Sequence, residues 1–168
     1  MSDPPLAHHG DMKIPRFYLD TSVLGGCFDR EFEPWSSALI NDFKSGHLKP
    51  VSSELVEAEL AAAPASVQLL YTELLGLDLE VIPLDVEAFE LADLYQKREI
   101  LTPNFYDDGV HIALATLAEV DLLVSWNFKH IVHYDKIRRF NAVNLERGYK
   151  PLIIYSPREV ARYDEDDR

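Results

Sequence analysis

Short runs of consecutive apolar residues alternate with longer stretches in which apolar positions recur every three or four residues. Arg16 to Asp20, Leu48 to Ser52, Leu79 to Leu84, Asp121 to Trp126 and Leu152 to Tyr155 are the short runs. They are too short for helices and too uniformly apolar for half-exposed strands, so they predict strands covered on both faces. Trp35, Leu39, Ile40 and Phe43 keep a helical spacing that Gly46 closes. Ser53 is a good N-cap for a helix carrying Glu54, Glu57 and Glu59. Pro64 interrupts it, and helix resumes over Ser66 to Leu75. Asp85 caps a helix with Val86, Phe89 and Ala92 expected on its inner face. Val110, Ala113, Leu114 and Leu117 stripe a helix over Asp107 to Val120. Tyr134 to Arg147 forms another helix, ended by Gly148, and Ser156-Pro157 opens a short last one.

Strands alternating with helices predict an α/β, three-layer fold with a central, mainly parallel sheet flanked by helices. The 168 residues suit one domain. Residues 1–13 lack periodicity and are expected to be a disordered leader, 14–162 the folded domain, and 163–168 an acidic tail.

The single cysteine, Cys27, excludes an internal disulfide framework and a cysteine-built zinc site. No apolar run approaches the roughly 20 residues of a membrane helix. The N-terminus lacks the basic-then-apolar layout of a secretory signal, so the expected location is cytoplasmic, with no membrane partner. A formal net charge of -13 argues against loose nucleic-acid binding through a broadly basic surface. The sign is uneven, however. Lys129, His130, His133, Lys136, Arg138, Arg139, Arg147 and Lys150 gather in one stretch, as a solvated helix face or as a phosphate-contacting patch.

The candidate chemistry lies in three acidic signals where apolar runs end or helices begin. Asp20 ends the first strand, and ligands of parallel α/β sheets gather at strand carboxyl ends. The hydroxyls of Thr21 and Ser22 can orient that carboxylate or a metal-bound water; Asp20 could instead cap a helix. Glu57 and Glu59, two apart, cannot share one helix face, so only one can point into a cleft. Asp107 and Asp108 open a helix, where acids are favoured in any case. His111 stands on the same face as Asp108, either to shift the titration of the acids or contact phosphate, or as a packed core histidine. Carboxylates that converge repel one another unless a cation lies among them.

Four segments together resemble PIN-domain proteins, in particular bacterial toxins of the VapC-like type: Tyr18-Leu19-Asp20-Thr21-Ser22, Ser53 with Glu59-Leu60, Asp108-Gly109-Val110-His111-Ile112-Ala113, and Leu123-Val124-Ser125-Trp126-Asn127-Phe128-Lys129-His130. The resemblance spans Ile14 to Val160 and implies a PIN-like fold and a metal-dependent ribonuclease. It implies that Asp20, Glu59 and Asp108 hold Mg²⁺ or Mn²⁺. Glu59 is preferred to Glu57 because Ala58-Glu59-Leu60 matches the family's helix without a gap, and Asp108 to Asp107 by its spacing to His111. Thr21, Ser22, Glu57, His111, Ser125 and Asn127 stand as auxiliary residues, and Lys129, Arg138 and Arg139 as contacts to an RNA substrate. A small antitoxin and a homodimer are the implied protein partners.

The chain departs from the family's pattern at Asn127, where many PIN nucleases carry a fourth acid. An amide has no charge, so a second metal is held more weakly. The alternative is a catalytically degenerate PIN-fold protein that binds RNA or a protein partner. A haloacid-dehalogenase-like phosphatase also places an acid after its first strand. It requires another two residues on, where this chain has Ser22.

Overall fold

The structure is a computed structural model that describes residues 13–162. Most of the expected leader, 1–12, and the acidic tail, 163–168, lie outside the described residues. The chain runs β1 (Arg16–Leu19), α1 (Thr21–Gly26), α2 (Glu33–Lys44), β2 (Lys49–Ser53), α3 (Glu54–Leu60), α4 (Ala65–Leu75), β3 (Glu80–Ile82), α5 (Val86–Lys97), a 3-10 turn at Pro103–Phe105, α6 (Tyr106–Leu117), β4 (Leu122–Val124), α7 (Tyr134–Glu146), β5 (Ile154–Tyr155) and α8 (Pro157–Val160). No helix among the described residues is long and apolar enough to cross a membrane.

The five strands form one parallel sheet in the order β3-β2-β1-β4-β5. The chain builds outward from β1 on one side and returns to start β4 on the other. The topological switch point, where α/β sheets bind ligands, therefore lies between β1 and β4. Register sets what meets there. Tyr18 pairs with Val51 and Leu123, and Leu19 with Val124. The ladder runs one residue past β1, through Asp20 N–H to the Val124 carbonyl at 3.3 Å. Asp20, Ser53 and Ser125 consequently occupy one row at the carboxyl edge.

The core follows from the apolar runs. Tyr18, Leu19, Val51, Leu123 and Val124 are buried, as doubly covered strands require. Helices α5, α6 and α7 pack together, while α1 packs on α2, α3 and α4, and α8 on α2. Helix α6 is buried through every residue from Gly109 to Thr116, more than its apolar stripe alone would need. His111 is therefore carried into the interior.

One helix is added and one local expectation changes. Thr21–Gly26 is a helix, although its small residues and glycine pair give no clear amphipathic signal. On α5 the inner face is Ala88, Leu91, Ala92 and Tyr95, whereas Val86 and Phe89 are exposed. Asp85 does cap that helix, accepting from the Ala88 N–H at 3.0 Å. With the cap fixed there, burying Tyr95 turns Phe89 outward.

Candidate active site

Asp20 occupies the N-cap position of α1, yet its side chain makes no capping bond. Its carboxylate turns instead along the sheet edge. Ser22 Oγ donates to Oδ1 at 2.6 Å, and Ser125 Oγ donates to Oδ2 at 2.5 Å. The two serines are locked in turn: the Trp126 N–H donates to Ser22 Oγ at 2.9 Å and the Asn127 N–H to Ser125 Oγ at 2.9 Å. An acid that satisfies two hydroxyls from separate elements is held at one orientation before any ligand arrives.

Helix α3 starts directly after β2, with Ser53 Oγ accepting the Val56 N–H at 3.2 Å. Its two candidate glutamates part company, as a spacing of two demands. Glu57 turns to α4 and accepts from the Tyr71 hydroxyl at 3.1 Å. Glu59 reaches His111, with Oε1 2.5 Å from Nε2. The other imidazole nitrogen, Nδ1, lies 2.6 Å from the Tyr18 hydroxyl, which lies 2.8 Å from Ser53 Oγ. His111 is thus a buried histidine with both nitrogens bonded and, at the same time, a neighbour of the acids. Tyr18 and Ser53 were not singled out from sequence as part of this relay. The available signal is the period of two that puts Tyr18 on the same strand face as Asp20.

Asp108 lies in the first turn of α6, half-buried, while Asp107 is exposed. Asn127 lies near enough to Asp108 to lower its pKa. The Asn127 amide oxygen accepts the His130 N–H at 3.0 Å, which fixes the turn after β4.

The electrostatics tie these groups into one cluster. Burial raises the Asp20 pKa above its ordinary value; His111, Ser125 and Ser22 oppose this and Glu59 adds to it. Burial pushes Asp108 up to about 6, with His111 and Asn127 pulling back and the charges of Asp20 and Glu59 pushing further. Burial disfavours the charged His111 ring, but the bonded Glu59 and the charges of Asp20 and Asp108 outweigh it and hold its pKa above the ordinary value. Asp108 thus senses the charges of both Asp20 and Glu59.

Among the described residues, no three His, Cys, Asp or Glu side chains stand close enough to grip a metal ion as they are placed. The donor chemistry still suits a hard cation, because every candidate ligand is a carboxylate oxygen. Each Asp20 oxygen accepts one hydroxyl and retains a lone pair, and only Oε1 of Glu59 is engaged by His111. Beside them Thr21 Oγ1 is buried without a hydrogen-bond partner, a position that a bound water would satisfy. Asp20, Glu59 and Asp108 are the residues that could hold Mg²⁺ or Mn²⁺.

The basic candidates divide. Lys129 places Nζ 5.9 Å from the Phe105 ring centre, close to the turn that Asn127 organises. Arg139 donates to the Arg98 carbonyl at 2.9 Å. Arg138, adjacent on α7, lies over the Tyr134 ring at 5.8 Å.

No family model matches the chain, and no curated protein matches it by sequence. The architecture defines an α/β protein of PIN-like fold, with the buried Asp20 at its switch point. A solved structure described as VapBC2 from Rickettsia felis bound to a DNA fragment from their promoter contains a chain of the same fold. The two superpose with a TM-score of 0.51 at 18% identity, covering 84% of this chain and 98% of that one.

Proposed function

We propose that this chain is a metal-dependent endoribonuclease that hydrolyses RNA phosphodiesters, with Asp20, Glu59 and Asp108 as ligands of Mg²⁺ or Mn²⁺. The observation that carries the reading is Asp20, buried at the switch point and fixed by Ser22 and Ser125, with Glu59 and Asp108 carried toward it by α3 and α6. Carboxylates gathered at one strand edge are the electrostatic complement of a divalent cation. When bound, such an ion supplies charge neutralisation at the phosphoryl oxygens and an activated water.

The chain's own residues prepare the site. Ser22 and Ser125 orient Asp20, while His111, held from behind by Tyr18, orients Glu59. Asn127 fixes the turn after β4 beside the site. Thr21 offers its unpartnered hydroxyl to a water near Asp20. Lys129, Arg138 and Arg139 provide local positive charge, which a chain of net charge -13 needs to receive a polyanion. The substrate on this reading is single-stranded or looped RNA. A toxin role, with a small antitoxin covering the acidic cleft and with pairing of toxin chains, extends the same proposal. Its support is the sequence resemblance and the fold shared with a chain from a VapBC2 assembly.

Cleavage of a mixed-sequence RNA with Mn²⁺ and with EDTA tests the reading. Wild type is expected to cleave only with the ion, and Asp20→Asn and Asp108→Asn to lose at least about a hundredfold in rate. Equal cleavage by all three proteins excludes these roles.

A second reading, a degenerate PIN-fold protein that binds RNA or a protein partner, draws on Asn127. That residue carries no charge, and its amide oxygen already serves the His130 N–H. Such a protein would bind RNA without cleaving it and would not take up Mn²⁺.

A further inference from the structure

Beyond Asn127 the chain turns against the loop that follows α5, leaving a cavity of about 540 Å³. Gln96, Phe105, Lys129, His130, Lys136 and Arg139 line it, and Glu99 is the one carboxylate on its wall. The Phe105 and His130 rings stack with centres 3.8 Å apart and planes 30° apart. Lys136 Nζ donates to the Ile100 carbonyl at 3.2 Å, and Arg139 Nη2 to the Arg98 carbonyl at 2.9 Å. These bonds cap carbonyls at the end of α5. That job uses only some of the three lysine and five arginine donors.

Capping leaves two other atoms unexplained. Gln96 Nε2 and His130 Nδ1 are buried without a hydrogen-bond partner, and both belong to wall residues. Unpaired buried polar atoms are uncommon because each costs free energy that a partner would recover. Burial, and then the charges of Lys129, Lys136 and His133, hold the His130 pKa below its ordinary value. The wall thus offers cationic donors, an amide donor and an aromatic pair. Oxygen-rich anions satisfy the first two, and a planar base suits the third.

The cavity adjoins the acidic cluster. Phe105 immediately precedes α6, one turn ahead of Asp108, and Asn127, which lies just past Ser125 at the strand end, accepts the His130 N–H on the cavity wall. We propose that this cavity is a nucleotide subsite for single-stranded RNA, taking a phosphate on Lys129, Lys136 and Arg139 and the attached base against Phe105 and His130. It sets the register of the strand along the acidic cluster, and only this last role rests on the nuclease reading. An acidic peptide would use the cations but leave the aromatic pair idle.

The test is fluorescence anisotropy with a labelled eight-nucleotide RNA in EDTA, using the full chain, with thermal melting to verify folding. Lys129→Ala, an exposed change, and Phe105→Leu, which keeps apolar volume, are each expected to weaken binding about five- to tenfold. Lys129→Ala should also reduce the salt slope by about 0.7. Lys44→Gln, which removes a charge on α2, is expected to change affinity by less than about twofold. Unchanged affinity in the first two variants overturns the subsite. So does tighter, variant-sensitive binding of an acidic peptide of equal length, which would mark a protein site. A nucleoside monophosphate binding as tightly as the strand would make this a free-nucleotide pocket and likewise overturn it. Variant-sensitive RNA binding without Mn²⁺-dependent cleavage by wild type would remove the nuclease reading and leave the subsite standing. Cleavage by the variants with wild-type KM would do the reverse.

Discussion

Glu59 and His111 meet with Oε1 2.5 Å from Nε2, and this contact joins α3 to the central helix α6. Tyr18 bonds the other nitrogen from β1, so three elements converge on one imidazole. When protonated, the ring sets a positive charge among acids that would otherwise repel one another. His111→Leu removes both bonds from a fully enclosed position. It is expected to lower stability by about 2–4 kcal/mol in urea unfolding, while His111→Gln, which keeps hydrogen-bonding capacity, costs less. Equal stability of both variants and wild type would show that the relay contributes nothing to the fold.

The raised pKa of Asp108 gives a pH dependence of definite sign. Its carboxyl binds a proton more tightly when folded than when unfolded, from an ordinary 3.8 up to about 6. Its contribution is therefore fully present at low pH and lost as pH rises through about 6. Metal-free Asp108→Asn is expected to be more stable than wild type at neutral pH, by about 1 kcal/mol after allowance for solvent screening of a half-exposed group. Between about pH 4 and 6 its stability should fall less steeply than wild type. Denaturant titrations in EDTA across that range measure both. A variant less stable than wild type at neutral pH contradicts the assignment.

The sheet was legible because its strands are short and apolar throughout, and because caps such as Ser53 and Asp85 mark where helices begin. The strand ends at Leu19 and Val124 place Asp20 beside Ser125, a relation that apolar runs foretell only approximately, since register decides it. Helix α1 was illegible because Thr21–Gly26 has no periodic apolar face; it forms because Val23 and Leu24 pack into the core between its neighbours. The opposite directions of Glu57 and Glu59 follow from helix geometry, but which of them turns inward depends on Tyr71 and His111, partners contributed by distant segments. The Tyr18 relay and the Gln96–His130 cavity depend on tertiary contacts, for which spacing gives no signal.

Gly26 ends α1 under the ring of Trp126, the residue that follows Ser125. A Cβ at Gly26 would stand 2.5 Å from Ser36 Oγ and 2.6 Å from Trp126 Nε1, atoms that are themselves bonded at 2.7 Å. Neither is the far end of a flexible side chain, and Phe32 stacks on the indole with ring centres 4.1 Å apart. Gly26→Ala is expected to destabilise by about 1–3 kcal/mol, read as a lower melting temperature. Because the displaced indole carries the turn holding Ser125 and Asn127, RNA cleavage should fall further than stability alone explains. A variant that melts and cleaves like wild type would show that the Trp126 packing is not needed at the site.

Calorimetric titration of Mn²⁺ into the metal-free protein at neutral pH reads the acidic cluster without depending on any substrate. Wild type is expected to bind the ion, and Asp20→Asn and Asp108→Asn to lose at least about tenfold in affinity. Binding that is absent in wild type, or unaltered by both substitutions, would contradict a metal site built on these acids.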